Sequence, residues 1–251
     1  MSALGNLGFQ RIGLMAALNE ELGDLRSRLE AATVECRAQR DYHCGRLNGQ
    51  DVVAVTARVG KVAAASTATT LIERFACDAI VFVGIAGGIG VDVQVGDVVV
   101  AAQLAQHDMD ASPIFPAGEL PLLGIRELAP ERRLTQALHQ ACQAAIADWS
   151  PRHDHPHFSQ SNLHQGLILS GDQFVHAHAD SQELVQQWPK ALAVEMEGAA
   201  VAQVCFEHSI PFAVVRTISD RADDNAATDF GLFLREVASP MSSAILRHLL
   251  G

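Results

Sequence analysis

The order of patterns along the chain predicts an α/β fold in which a central, mostly parallel sheet is buried between helices. Short β-rich runs alternate with helical patterns, the arrangement of parallel strands joined by crossover helices. Several strand runs, such as Ala79-Ile80-Val81-Phe82-Val83, are apolar at every position rather than alternating, as expected when both faces of a sheet are covered. Hydrophobic residues make up 49% of the chain and aromatics only 5%, so the core must be built from Ala, Val, Leu and Ile.

In order, strands are expected over residues 11–17, 51–57, 79–85, 97–101, 166–170, 191–195 and 212–218. Helical patterns fall at 19–31, 61–76, 130–149, 181–188, 197–208 and 229–249, with Asn19 and Ser181 as N-caps and Pro130 at a first helical position. Residues 86–90 turn the chain after a strand, and 111–123, with three prolines and one glycine, should be irregular. Residues 150–165 are polar, contain Pro and His, and read as a surface loop.

A chain of 251 residues can bury a sizeable core in one domain. Its formal net charge of −11, with basic residues scattered, would repel a phosphate backbone, so nucleic acid is excluded as a general partner and a small-molecule substrate is expected. Cys36, Cys44, Cys77, Cys142 and Cys205 are widely spaced without a C-x-x-C pair, which indicates reduced thiols rather than a disulfide framework or zinc site. Met1 to Asn6 lacks a basic region followed by an apolar stretch, and the longest apolar run, 79–91, is shorter than the about 20 residues of a spanning helix. The expectation is a cytoplasmic protein without a membrane partner.

In open α/β sheets ligands bind beyond the carboxyl ends of the strands. The polar residues there are Glu20 and Glu21 after the first strand, Gly84 to Gly90 after the third, Gly171-Asp172-Gln173-Phe174, Glu195-Met196-Glu197 and Ser219-Asp220. Breaking a bond between a sugar and a nitrogenous leaving group needs an acid on the leaving group and a base on water. Glu21 and Asp220 could supply both; alternatively Glu21 is an acidic residue favoured in a first helical turn by the helix dipole. The two carboxylates of Glu195-Met196-Glu197 sit where a buried strand gives way to a helix. Each needs a partner there, and a sugar diol or a structural Arg or Lys would serve equally.

The runs Ile12-Gly13-Leu14-Met15-Ala16-Ala17 leading to Glu20-Glu21, Gly84-Ile85-Ala86-Gly87-Gly88, Ser170-Gly171-Asp172-Gln173-Phe174-Val175, Ala193-Val194-Glu195-Met196-Glu197 and Val214-Val215-Arg216-Thr217-Ile218-Ser219-Asp220 together resemble the bacterial 5'-methylthioadenosine/S-adenosylhomocysteine nucleosidases of the nucleoside phosphorylase superfamily. Val95-Gly96-Asp97-Val98-Val99 and His107-Asp108 extend the likeness. The resemblance implies one three-layer α/β/α domain over residues 1–251 with a twisted mixed sheet, acting as a hydrolase that releases adenine without cofactor or metal. It implies that Glu21 activates water with Arg216 close by and that Met196 and Glu197 hold the ribose hydroxyls, and Glu195 is counted with the substrate-binding residues. Asp220, helped by Ser219, would contact the purine N7 and the exocyclic amine. Phe174 would stack on adenine, the Val175 backbone would read its edge, and Phe230 would close the alkylthio side. A homodimer is implied too, with a partner segment near residues 111–116, including Ile114, lining the site.

Two places differ from that pattern. Ile85 stands where a small hydroxyl residue is usual near the water, and Ala111-Ser112-Pro113-Ile114-Phe115-Pro116 replaces a usually aromatic segment, which leaves the 5' substituent open. His153, His155 and His157 have a spacing that can bind a transition metal, but the chemistry needs none and a solvated loop is the reading. Gly60-Lys61 lacks the spaced glycine of a phosphate-binding loop and reads as a strand-to-helix turn. The competing functions are a phosphorylase, disfavoured because Asn19-Glu20-Glu21 would repel phosphate, and a noncatalytic nucleoside binder, which would have no use for Glu21.

Overall fold

Continuously apolar runs form the strands that position the site. The computed structural model describes Leu4 and residues 7–149, 161–222 and 230–251, the side chains of Phe230 and Leu232 excepted. The His153, His155 and His157 segment lies outside the described residues. In chain order the elements are β1 (Arg11–Ala16), a 3-10 turn (Glu20–Leu22), α1 (Leu25–Arg28), β2 (Glu30–Arg37), β3 (Arg40–Leu47), β4 (Gln50–Thr56), α2 (Lys61–Glu73), β5 (Ala79–Gly88) and β6 (Val98–Gln106). Then follow α3 (Arg132–Ala147), β7 (Leu163–Ser170), α4 (His178–Gln187), β8 (Ala191–Glu195), α5 (Gly198–Glu207), β9 (Phe212–Asp220), α6 (Phe230–Phe233), a π-helical stretch (Leu234–Ala238) and α7 (Ser239–Leu250).

Among the described residues the strands form one mixed sheet in the order β2-β3-β4-β1-β5-β8-β7-β6-β9, with β5 also paired to β9. Five of the nine strand pairings are parallel. The pairing β5–β9 closes a circuit through β8, β7 and β6, so half of the sheet curls round while β2, β3, β4 and β1 stay an open wing. Closure requires one strand to serve several neighbours. The glycine-rich end of β5 does so, pairing Gly87 and Gly88 with β8 while its earlier residues pair with β1 and β9. A Cβ on Gly87 would stand 3.0 Å from both Ala222 Cβ and Asp220 Oδ1, too tight for a larger residue.

Alternate residues of these strands pack on opposite layers. Val81, Val83, Val98, Val100 and Val215 join Leu134, Leu138 and Cys142 of α3 and Ile245 and Leu249 of α7. Ile80, Phe82, Val99 and Val214 join Ala64, Ala68 and Leu71 of α2 and Ala199, Val201 and Cys205 of α5. The expected buried sheet with helices on both sides is what forms. The many Ala and Val positions let helices approach it closely.

Several elements differ from the sequence expectations. The helix expected over 19–31 is only the 3-10 turn and the four residues of α1 before the chain enters β2. Neither β2 nor β3 was expected. Most residues of β2 are exposed, so its side chains lack the alternation that marks a strand. Its turn uses Ala38 and Gln39, both at positive φ, without the Gly or Asn that usually announces such a turn. Between β3 and β4, Asn48 and Gly49 also have positive φ, and there the Asn-Gly pair is that signal. Pro130 is not a first helical residue: Glu131 caps α3, accepting from Leu134 N at 2.6 Å. Ser181 is not a cap either, since α4 starts at His178 and the Ser181 hydroxyl donates to the His178 carbonyl. Asn19 precedes its turn without capping it; its Oδ1 accepts from Arg26 and Thr56.

Asp97 locks the rim of the curled half. Fully buried, its carboxylate accepts from Gln94 N at 2.9 Å, Asn162 N at 2.8 Å and Asn162 Nδ2 at 3.2 Å, and lies 2.8 Å from His164 Nε2. Its backbone carbonyl accepts from Ile218 N of β9. Asp97→Ala strands several donors at once and should cost about 3 kcal/mol, lowering the melting temperature by roughly 6–12 °C. A calorimetric scan in which the variant melts within about 2 °C of the parent would contradict this account.

Candidate active site

The parallel register of β1, β5 and β9 brings their carboxyl ends together. Gly84 of β5 lies directly beside Arg216 of β9. A Cβ on Gly84 would stand 3.1 Å from Glu21 Oε1 and 3.3 Å from Arg216 Nη1, so the missing side chain makes the space in which carboxyl and guanidinium converge. Glu21, 2% exposed on the turn after β1, is held by two amides: Leu18 N donates to Oε2 at 2.7 Å and Ile85 N to Oε1 at 3.1 Å. Glu21 does stand in the first turn of the 3-10 helix, as the alternative has it, but its burial and two amide donors go beyond a helix-dipole preference.

Arg216 is 1% exposed. Its Nε and Nη2 donate to Glu195 Oε2 at 3.1 and 2.6 Å, and Nη1 donates to the carbonyls of Phe82 and Val215. The guanidinium lies 4.2 Å over the Phe82 ring, a favourable face for a cation. Glu195 further accepts from the Ser170 hydroxyl, from Gly198 N and from Glu197 N. Glu195, expected among the substrate-binding residues, is thus engaged as the partner of Arg216. With Arg216 on Oε2 and the Ser170 hydroxyl and Gly198 amide on Oε1, its acceptor positions are occupied without a sugar.

Glu197 differs: its carboxyl accepts from Gly60 N at 2.8 Å. Gly60 has φ of +98°, and Lys61 N beside it donates to Asp172 Oδ1 at 2.8 Å. The turn after β4, read as merely connecting, therefore belongs to the site; its only sequence signal is the Gly-Lys pair opening a helix. Lys61 Nζ also pairs with Asp108 at 2.6 Å, and Asp172 N donates to Asp108. This ties the loop after β7 to that after β6. Met196 is half-buried between Glu195 and Glu197.

The remaining expected residues differ in burial and partners. Asp220, 8% exposed, accepts from the Ser219 hydroxyl at 2.6 Å and from Ala222 N at 2.8 Å. Val175 is buried, whereas Phe174 is 47% exposed and stacks on His176 with ring centroids 6.0 Å apart. Ile85 packs with Leu18 and Val95 against Phe233, Leu234 and Val237, so its apolar side chain serves the C-terminal packing. Ile114 is 82% exposed. The side chain of Phe230 lies outside the described residues. Among the described residues no group of three or more His, Cys, Asp and Glu is arranged to hold a metal ion.

Burial sets the protonation of the cluster. It raises the Glu21 carboxyl above its ordinary value, opposed by the Leu18 amide and the charge of Arg216. It also pushes Glu197 up to about 8, and the neighbouring Glu195 charge adds to the rise. A raised carboxyl stabilises the fold fully below its unfolded value, and that contribution is lost as pH rises through the folded value. The melting temperature should therefore fall between about pH 4.5 and pH 8. Glu197→Gln should flatten that fall; an equally steep profile in the variant would exclude Glu197 as its source.

The likeness to known proteins covers nearly the whole chain. The profile of the phosphorylase superfamily matches residues 11–250. The 5'-methylthioadenosine/S-adenosylhomocysteine nucleosidase of Anoxybacillus flavithermus is 34% identical over 93% of this chain and 95% of its own. The crystal structure of the nucleosidase of that name from Colwellia psychrerythraea, in complex with adenine, superposes with a TM-score of 0.86 at 32% identity, covering 97% of this chain and 95% of that one. Futalosine hydrolase of Helicobacter pylori superposes with a TM-score of 0.82 at 31% identity, over 96% and 97% of the two chains. With the curled sheet and the Glu21–Arg216 convergence at Gly84, this likeness identifies the chain as a member of the 5'-methylthioadenosine/S-adenosylhomocysteine nucleosidase family within the phosphorylase superfamily.

Proposed function

We propose that this chain hydrolyses the N-ribosyl bond of a 5'-thio-substituted adenosine, 5'-methylthioadenosine or S-adenosylhomocysteine, releasing adenine and a 5-thio-substituted ribose. The observation that carries the reading is Glu21, a buried carboxyl beside a guanidinium. Desolvation makes it a stronger base than a solvated glutamate. In the mechanism it takes a proton from water attacking the anomeric carbon, while Arg216 balances the charge. Met196 and Glu197 bind the ribose hydroxyls. Asp220 acts at N7 as the acid and accepts from the 6-amino group through its other oxygen, with Ser219 orienting it. Phe174 stacks on the base, the Val175 backbone reads its edge, and Ile85 and Phe230 bound the sugar and the 5' side. No cofactor or metal enters these steps. Because a futalosine hydrolase also superposes on the chain, the assay below compares nucleosides that differ in their 5' group.

We further propose a cytoplasmic homodimer in which the segment 111–116 lines the partner's site. Val59, Val62, Ile114 and Leu122 expose 50%, 81%, 82% and 90% of their surface, apolar area that a second subunit would cover. The free, exposed Cys36 suits a reducing compartment. Sedimentation at micromolar concentration should give a dimer; a fully active monomer would overturn the assembly.

Release of free adenine, independent of added phosphate, from 5'-methylthioadenosine compared with S-adenosylhomocysteine tests the activity itself. Glu21→Gln keeps the shape but cannot take the proton, so kcat should fall roughly 10²-fold or more, and Asp220→Asn should also lower turnover more than binding. An inosine analogue presents an oxygen where Asp220 expects a donor and should be cleaved about 10- to 100-fold less well. Near-parental rates in both variants, or release of a sugar 1-phosphate, would refute the hydrolytic reading.

A further inference from the structure

The guanidinium of Arg216 has two ends with different neighbours. Nη1 lies at the Gly84 gap near Glu21 and donates to the carbonyls of Phe82 and Val215, while Nε and Nη2 are both taken by Glu195 Oε2 at 3.1 and 2.6 Å. An arginine on its flexible stem has many rotamers; the carboxylate contact through two nitrogens acts with the two carbonyls on Nη1 to restrict them, and of these partners only Glu195 carries charge. Glu195 is itself immobilised. The Ser170 hydroxyl donates to its Oε1, Gly198 N reaches both oxygens at 2.9 and 2.8 Å, and Glu197 N reaches Oε2 at 3.2 Å. Ser170 is anchored in turn, its Oγ accepting from Ala199 N at 2.7 Å. Glu197, Gly198 and Ala199 open α5, so the carboxylate sits at the positive end of a helix.

We infer that Glu195 is a positioning residue: braced by Ser170 and the first amides of α5, it clamps Arg216 so that Nη1 faces Glu21, and so fixes both geometry and charge around the carboxyl that activates water. The inference rests on the hydrolytic reading above. The titratable groups facing the pair are Glu21 from the turn after β1, Glu197 from the start of α5 and His107 just after β6. Removing the Glu195 charge would take away part of what raises Glu197 and leave Arg216 uncompensated beside both glutamates. Both carboxyls would then ionise at lower pH.

Glu195→Gln keeps size and one acceptor but discards the charge. With 5'-methylthioadenosine its kcat should fall about 10- to 100-fold, as expected for a misplaced catalytic neighbour, with KM changed far less. The acidic limb of its kcat profile should move to lower pH, and the fall in melting temperature between about pH 4.5 and 8 should shrink. Ser170→Ala, which keeps every charge, should lower kcat more mildly and leave the limb in place. A Glu195→Gln enzyme with kcat within about twofold of the parent, or one that loses rate while both pH profiles stay unmoved, would overturn the inference. Should that variant not fold, Ser170→Ala decides: a lowered kcat at constant KM supports the clamp and an unchanged kcat refutes it. If the parent releases no adenine, the hydrolytic reading fails, and the melting profiles still decide whether Glu195 governs the protonation of Glu21 and Glu197.

Discussion

The empty Cβ position of Gly84 is the constraint on which the site depends. Because β1 and β9 both run parallel to β5, any residue beyond β1 and any side chain of β9 directed over β5 must share the space above the same strand. A glycine there admits a carboxyl and a guanidinium within contact of one point; a methyl group would meet both at once. The same strand ends in Gly87 and Gly88, which let β8 and the Asp220 turn approach. One glycine-bearing strand therefore closes the sheet and hollows the cleft.

Charge is handled in the cleft by unequal pairing. Glu195 and Arg216 neutralise each other behind Gly84, an arrangement costly to bury and of little net value to stability. Its persistence in a dry core is better explained by the geometry it imposes on Glu21 than by binding energy. Glu197 has only amide and remote cationic help, so burial and the adjacent Glu195 keep its proton on near neutral pH. A sugar hydroxyl arriving there would find an acceptor whose proton can move. Identical side chains two residues apart thus differ in function through what each faces.

In the proposed reading the 5' side of the site is left open within one chain. Ile85 is committed to packing against Phe233, Leu234 and Val237, and Ile114 stands in solvent. In the proposed reading Glu21, Glu197 and Asp220 stand at or just beyond strand ends, which the sheet holds rigidly, whereas Phe174 and Ile114 come from loops. This division explains why one scaffold accommodates relatives with different substrate names, since loops vary without disturbing the strands.

The continuous apolar strands, the helices that cover them and the ligand-facing motifs at strand ends were all legible in the sequence, because burial on both faces and turn chemistry leave local marks. Glu21, Glu195, Glu197 and Asp220 could be named from their places after strands, and Arg216 from the family resemblance. Their division of labour could not. Whether Glu195 faced a sugar or an arginine depended on a contact spanning 21 residues, and the role of Gly60 depended on one spanning 137. The β2–β3 hairpin escaped for a related reason: an exposed wing has no buried face to pattern its side chains, and its turn at Ala38-Gln39 uses residues that do not announce positive φ. Sequence by itself determined which segments must be buried and which residues could do chemistry. Only the tertiary structure decided which carboxylate meets which partner, because that choice is made by strand order and close approach, neither of which is encoded within any single segment.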